Sequence, residues 1–325
     1  MERADARGVA SRLFYVRRLT VLLIIWLAHG FLLWRGDILA PYALMGIFLL
    51  LFRKRSQSTI LIWAVIFYAW PMMLMGAAMA AHSAGAVIPT PPRPTPEELQ
   101  RIIQIFANGT YAEMLRVRVK DMAFNGIGLV FFYPRVLGLF LFGLWVWRTG
   151  IIRSPAQYEP VLRRCRNWGL VVGLVGNAAV VAMLEIWRPN PTEFTREGFL
   201  VGIAGSIAMP ALSLFYASSG LLLSQEGTWR RVLRPFGAVG RTALSNYLLQ
   251  SVVCTTLYNS WGFGLFGKVG PLAGLIPTIL IYSAQVPLST WWTARFTFGP
   301  TEWIWRTLTY SRLQTLSRSA AVQTP

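Results

Sequence analysis

Apolar residues run through this chain in long blocks that are nearly free of charge, separated by short polar stretches. Eight blocks predict eight helices: Leu19–Trp34, Ile38–Phe52, Thr59–Ala81, Gly126–Trp147, Trp168–Ile186, Phe199–Leu223, Ala243–Trp261 and Leu272–Trp292. Most are apolar on every face rather than along one stripe, and such helices are stable only when apolar atoms surround them. A helix needs about 20 apolar residues to cross a bilayer. The expected fold class is therefore an all-α integral membrane protein, a polytopic bundle of about eight transmembrane helices. The first two blocks are short and separated only by Arg35, Gly36 and Asp37. They read as a tight hairpin, with one broken re-entrant unit as the alternative.

The segment from His82 to Asn125 is the one long polar piece between blocks. It opens on a proline-rich run that cannot be helical before Pro96. Thr95 or Pro96 then starts a helix, and Glu97 and Glu98 suit the positive end of its dipole. A second short helix is expected from Tyr111 to about Met122.

Charge orients the bundle. Basic residues crowd the segments that share a side with the N-terminus, such as Arg53, Lys54 and Arg55, then Arg148 and Arg153, then Arg230, Arg231 and Arg234. The positive-inside bias predicts both termini in the cytoplasm. The chain has 325 residues, 54% of them hydrophobic and only 14% charged, against about 25% charged in soluble domains. The net charge of +18 therefore signals orientation and contact with anionic membrane lipids, not nucleic acid. Cys165 and Cys254 are the only cysteines, so no disulfide framework is implied, and no metal site is expected. The basic opening leads into further apolar blocks rather than a cleavage site, so no cleaved signal peptide is expected.

Polar side chains at membrane depth are costly and become functional candidates. His29 and Asp37 are eight residues apart, which on one helix sets them about 12 Å apart on a shared face. His29 could act as a base or proton relay, or form a helix–helix hydrogen bond. Asp37 could serve the same chemistry or cap the second block. In GRTALSNYLLQS, Ser245, Asn246, Tyr247 and Gln250 bring four polar groups to the start of one helix, either as a substrate pocket or as interhelical glue. In FGPTEWIWR, Pro300 can begin a helix on which Glu302 and Arg306 pair, held at the interface by Trp303 and Trp305. Pro134 is expected to break its helix. Arg135 is expected to snorkel outward or to pair with Glu185 or Asp37. Gly138, Gly143, Gly169, Gly173 and Gly176 look like points of close helix packing.

The stretches RRLTVLLIIWLAHGFLLWRGDILAPYALMG, RVLGLFLFGLWVWRTG, GRTALSNYLLQS and GPTEWIWR, in that order, resemble the YeiB family of bacterial membrane proteins. Its C-terminal part is a domain of unknown function, number 418. The likeness runs from about Phe14 to Arg312, and it implies a division into residues 1–125 (hairpin, third span and outer loop) and residues 126–325 (the C-terminal membrane domain). Family members usually carry further spans first, so the chain corresponds to a form lacking the N-terminal ones. The proposed catalytic histidine of a related acetyltransferase falls in that region and is not carried over. The family is similar in layout to transmembrane acyltransferases, which take an acyl group from acyl-CoA. The resemblance implies an inner-membrane protein that transfers an acyl group to a small-molecule or glycan acceptor of the cell envelope. No resident cofactor is evident. In that reading, His29 and Asp37 are catalytic, and Ser245, Asn246, Tyr247, Gln250, Glu302 and Arg306 bind substrate, with a polar cavity built by His29, Asp37, Asn246 and Gln250. The same residues could instead line a path for a small solute, or brace a non-catalytic scaffold.

Overall fold

A computed structural model of the protein describes residues 11–34, 36–88, 94–124, 126–188 and 195–317. Among the described residues the chain is all-helical, and Phe296 and Ser317 add one isolated antiparallel bridge. Five helices are long and apolar enough to cross a membrane. They are α1 (Ser11–Leu32), α3 (Gln57–Ser83), α6 (Gly126–Thr149), α7 (Glu159–Trp187) and α8 (Arg196–Leu223). This is a helical membrane protein, because these helices expose large apolar side chains such as Ile24, Val65, Val175 and Ile207 that water would not tolerate in such number.

The other three apolar blocks fold as helices with less apolar length. α2 (Leu39–Phe48) is continued by a 3-10 turn, Leu49–Phe52. α10 (Ala243–Tyr258) has 16 residues. α11 (Leu275–Arg295) carries buried Gln285, Ser289 and Thr293 on one face. Gln285 and Ser289 bond to Gln250 and Asn246 of α10, and the Thr293 hydroxyl bonds back to the Ser289 carbonyl of its own helix.

The chain forms two compact units interleaved in sequence. The first holds residues 1–47, 94–126 and 233–325. Its α2 turns back along α1, with Gly46 close to Leu19 and Tyr15, so the short blocks form a hairpin. Two further helices, α4 (Pro96–Asn108) and α5 (Tyr111–Phe124), begin where the proline run ends. Thr95 and Glu98 cap α4 reciprocally, the Thr95 hydroxyl accepting from the Glu98 amide at 3.2 Å and Glu98 accepting from the Thr95 amide at 2.8 Å. Thr110 and Glu113 repeat the arrangement at α5, and the Thr110 backbone and side-chain donors hold the Glu113 carboxyl below its ordinary range. The next helix, α9 (Gly227–Arg241), leads into α10, and α12 (Pro300–Tyr310) follows α11. Trp305 donates its indole N–H to the Arg18 carbonyl at 2.8 Å and Trp303 donates to the Gln314 carbonyl at 2.6 Å, so both indoles fasten α12 from within.

The second unit, residues 48–93 and 127–232, is built on α3, α6, α7 and α8. α7 and α8 pack at backbone distance. A Cβ on Gly169 would lie 2.7 Å from the Ala211 carbonyl oxygen, and one on Gly173 would lie 2.8 Å from Leu212 Cα. Gly176 and Gly138 are equally tight, against Ala208 and against Tyr68 with Ala64. Gly143 has nothing within 4 Å, so it is not a packing point. Two expectations at Pro134 fail. α6 continues through it as one helix, and Arg135 does not pair with Glu185. Arg135 instead donates to the Tyr68 hydroxyl at 2.9 Å and lies over that ring, while Tyr68 donates to the Ser206 carbonyl at 2.8 Å. A polar partner three helices deep removes the need to reach water.

The glycine contacts predict a selective cost. Gly173→Ala forces backbone against backbone and is expected to destabilise the chain by about 1–3 kcal/mol, as overpacking does. Gly143→Ala fills open space and is expected to be neutral or to gain up to about 1 kcal/mol of helix propensity. Denaturation midpoints of the two purified variants in one detergent check this, and equal midpoints would refute the close-packing account.

Candidate functional site

His29 sits in the last turn of α1, which ends at Leu32. The chain then folds back, and Asp37 lies beside His29 rather than two turns away on the same helix. His29 Nδ1 is 2.6 Å from Asp37 Oδ2. Both side chains are buried, at 2% and 0% exposure. Asp37 Oδ1 also accepts from the Leu39 amide at 2.7 Å, which caps the start of α2, and from the Tyr247 hydroxyl at 3.0 Å. One carboxylate thus gathers three donors from α1, the α2 terminus and α10. The rings of His29 and Tyr247 lie 5.2 Å apart, tilted at 52°. His29 Nε2 is buried and has no hydrogen-bond partner. A proton on Nδ1 directed at Asp37 leaves the Nε2 lone pair free, which is the arrangement of an oriented general base.

Apolar packing holds this group in place. Leu22, Leu39 and Ala43 are buried together, with Trp26, Leu244, Tyr247, Leu248 and Trp305 around them. Beyond His29, the end of α1 is covered by α5. Tyr111 donates to the Leu32 carbonyl at 2.8 Å and Arg118 donates to the same oxygen at 2.6 Å. Arg118 is buried, and that burial pulls its pKa below the usual arginine value.

The remaining candidates form two further groups. Asn246 donates to Ser289 at 2.9 Å and to Thr242 at 3.0 Å. Gln250 donates to Gln285 at 2.7 Å, and Gln285 donates back to the Asn246 carbonyl at 2.9 Å. These amides tie α10 to α11, so their N–H groups are engaged. Their partners Thr242, Gln285 and Ser289 were not singled out from the sequence, although Gln285, Ser289 and Thr293 recur every four residues and so mark one polar helix face.

Ser245 and Glu302 form the second group. Glu302 Oε1 accepts from the amides of Leu244 at 2.7 Å and Ser245 at 3.1 Å, and its Oε2 accepts from the Ser245 hydroxyl. Ser245 Oγ in turn accepts from the Thr301 amide at 2.9 Å. Each residue caps the other's helix, and the two N-termini converge on one carboxylate. Gly299 leaves room for this arrangement, since a Cβ there would lie 2.1 Å from Glu302 Oε2 and push the carboxylate away. Glu302 therefore does not pair with Arg306, which is exposed and stacks its guanidinium 4.4 Å from the centre of Phe298. Among the described residues no group of three His, Cys, Asp or Glu side chains could hold a metal ion.

Comparison with known proteins identifies the family. The model of the family described as a protein of unknown function (DUF418) matches residues 146–312. The uncharacterized protein YxaH of Bacillus subtilis (strain 168) is 33% identical over 335 residues, covering 99% of this chain and 78% of that protein. The uncharacterized protein YeiB of Escherichia coli (strain K12) is 26% identical over 298 residues, covering 90% of this chain and 74% of that one. No solved structure matches. A helical membrane chain with this match and these relatives belongs to the DUF418 family of YeiB-like proteins.

Proposed function

We propose that this chain is a multi-pass inner-membrane acyltransferase in which His29, oriented by Asp37, is the general base. The observation that carries the reading is the buried His29–Asp37 contact at 2.6 Å with Nε2 left unpartnered. Nε2 takes the proton of an acceptor hydroxyl or amine. The freed nucleophile attacks the thioester carbonyl of an acyl-CoA, the carbon–sulfur bond breaks, and the departing thiolate takes the proton back from the imidazolium. Tyr247 and the Leu39 amide hold Asp37 from the other side, so the imidazole is fixed in one orientation. Asn246 and Gln250 act as supports that keep α10, and with it Tyr247, in register against α11.

The same reading sets both termini in the cytoplasm, with eight membrane segments including the short α2, α10 and α11. In its support, α12 is bonded to α1 at Arg18, while Tyr111 and Arg118 meet α1 at its other end, Leu32. The N-terminal half of α1 and the C-terminal helix thus share a face, and that face carries Arg17, Arg18 and Arg306. An acceptor approaching from the opposite face meets Tyr111 and Arg118 before His29.

The test is thiol release from acetyl-CoA by the purified full chain in detergent, with an amine or sugar acceptor added. His29→Ala is expected to lower turnover by about 10²–10⁴-fold, the usual weight of a positioned base. Release that persists undiminished in this variant would sink the reading.

A further inference from the structure

A cavity of about 500 Å³ lies wholly within the second unit, between the first turns of α7 and the last turns of α8. Its origin is in the sequence. From Gly169 onward, α7 presents glycines and its backbone touches α8. Before Gly169 the same face carries Glu159, Arg163 and Arg166, which line the cavity.

The lining is amphipathic and carries polar groups with no partner. Arg163 is already neutralised by Glu159 at 2.7 Å. Arg166 spends only its Nε, on Asn167 at 3.1 Å, and its two terminal nitrogens have no partner among the described residues. The Glu226 carboxylate on the rim likewise has no side-chain partner among them. Ser219 lines the cavity, and its hydroxyl is buried and unbonded. Phe215 and Leu222 supply apolar wall. One free guanidinium, one free carboxylate, an orphan hydroxyl and an apolar wall match a ligand bearing one anion, one cation and a hydrocarbon part.

We propose that this cavity binds a zwitterionic aminophospholipid of the phosphatidylethanolamine class. The phosphate pairs with Arg166, whose planar donors suit phosphate oxygens, and the Ser219 hydroxyl donates to a phosphate or ester oxygen. The primary ammonium donates to Glu226. A purely anionic lipid would leave Glu226 facing like charge. A quaternary headgroup favours an aromatic cage, and the only aromatic side chain in the lining is Phe215. The volume falls within the range of about 300–1,000 Å³ usual for small-molecule sites. A lipid rather than a soluble phosphate is the occupant because the cavity opens at the ends of two membrane-long apolar helices. Trp168, 68% exposed one turn away, marks headgroup depth there.

The test is native mass spectrometry of the delipidated full chain in detergent. It is titrated in parallel with dioleoyl-phosphatidylethanolamine, -phosphatidylglycerol and -phosphatidylcholine, and with soluble O-phosphoethanolamine. Phosphatidylethanolamine is expected to bind about tenfold more tightly than either other lipid, and Arg166→Gln and Glu226→Gln each to weaken it about tenfold, the loss of one charge-assisted contact. Arg166→Lys should restore part of the affinity, and Ser219→Leu, which removes the hydroxyl and narrows the cavity, should weaken binding. Circular dichroism separates lost binding from lost fold, and the two rim variants carry the test if Ser219→Leu fails to fold. The proposal is overturned if phosphatidylglycerol binds as tightly as phosphatidylethanolamine, if neither rim variant changes affinity, or if O-phosphoethanolamine displaces the lipid at equal concentration.

Discussion

With His29 as the proposed base, Asp37→Asn is expected to abolish acyl transfer while sparing the fold. An asparagine at this position keeps an oxygen that can accept from the Leu39 amide and so still caps α2. Its NH₂ group then faces His29 Nδ1, where the carboxylate oxygen lay at 2.6 Å. Two donors cannot share that contact, so the imidazole moves its proton to Nε2, the nitrogen that must accept one from the acceptor. Turnover of acetyl-CoA should fall by about 10²–10⁴-fold, with the circular dichroism spectrum unchanged. Tyr247→Phe removes one of the three donors to Asp37 without reversing the tautomer, and should cost far less. A double variant, His29→Ala with Asp37→Asn, should be no worse than His29→Ala alone, because the carboxylate acts only through the ring. If Asp37→Asn kept wild-type turnover, the pair would be a structural tie and nothing more.

Hydropathy carried much of the architecture. Five of the eight expected blocks became long apolar helices, since one residue type on all faces needs no partner to be recognised. The starts of α4 and α12 were equally legible, because Thr95, Glu98 and Pro300 act on residues within one turn of themselves. What stayed hidden was any contact between residues far apart in sequence. Asp37 was expected about 12 Å from His29 because helical spacing was extended past Leu32, where the helix stops. Tyr247 joins that pair across 210 residues. For Asn246 and Gln250 the sequence leaves a pocket and an interhelical tie both open, and only the position of α11 reveals that their amides bond to Ser289 and Gln285. Arg135 was expected to snorkel outward or to pair with an acid, whereas its partner is the neutral hydroxyl of Tyr68. Gly143 and Gly173 are indistinguishable by type, and the neighbour each meets decides which one matters.

Glu302 shows the same limit at its largest energetic consequence. Its spacing to Arg306 suggests a local ion pair worth a few tenths of a kcal/mol. Its actual partners are 57 and 58 residues away, and they are the unsatisfied amides of a helix start. Glu302→Ala strips the acceptor from the Leu244 and Ser245 amides and from the Ser245 hydroxyl together. A buried donor left without a partner costs about 1–3 kcal/mol, and the lower end applies to a half-buried cluster, so the summed loss is about 3 kcal/mol. Glu302→Gln should lose less, because its carbonyl oxygen can still serve both amides while its NH₂ faces the Ser245 hydroxyl. Ser245→Ala should loosen α12, since the Thr301 amide loses its cap, while the Leu244 and Ser245 amides still bond Glu302. Arg306→Ala, removing the partner the spacing suggests, should leave the denaturation midpoint of the purified chain within about 0.5 kcal/mol of wild type, as an exposed substitution does. The order Glu302→Ala, Glu302→Gln, Arg306→Ala in falling damage is the signature of a carboxylate that joins two helix starts. If Arg306→Ala matched Glu302→Ala, the local pair would be the true arrangement and the shared cap would not.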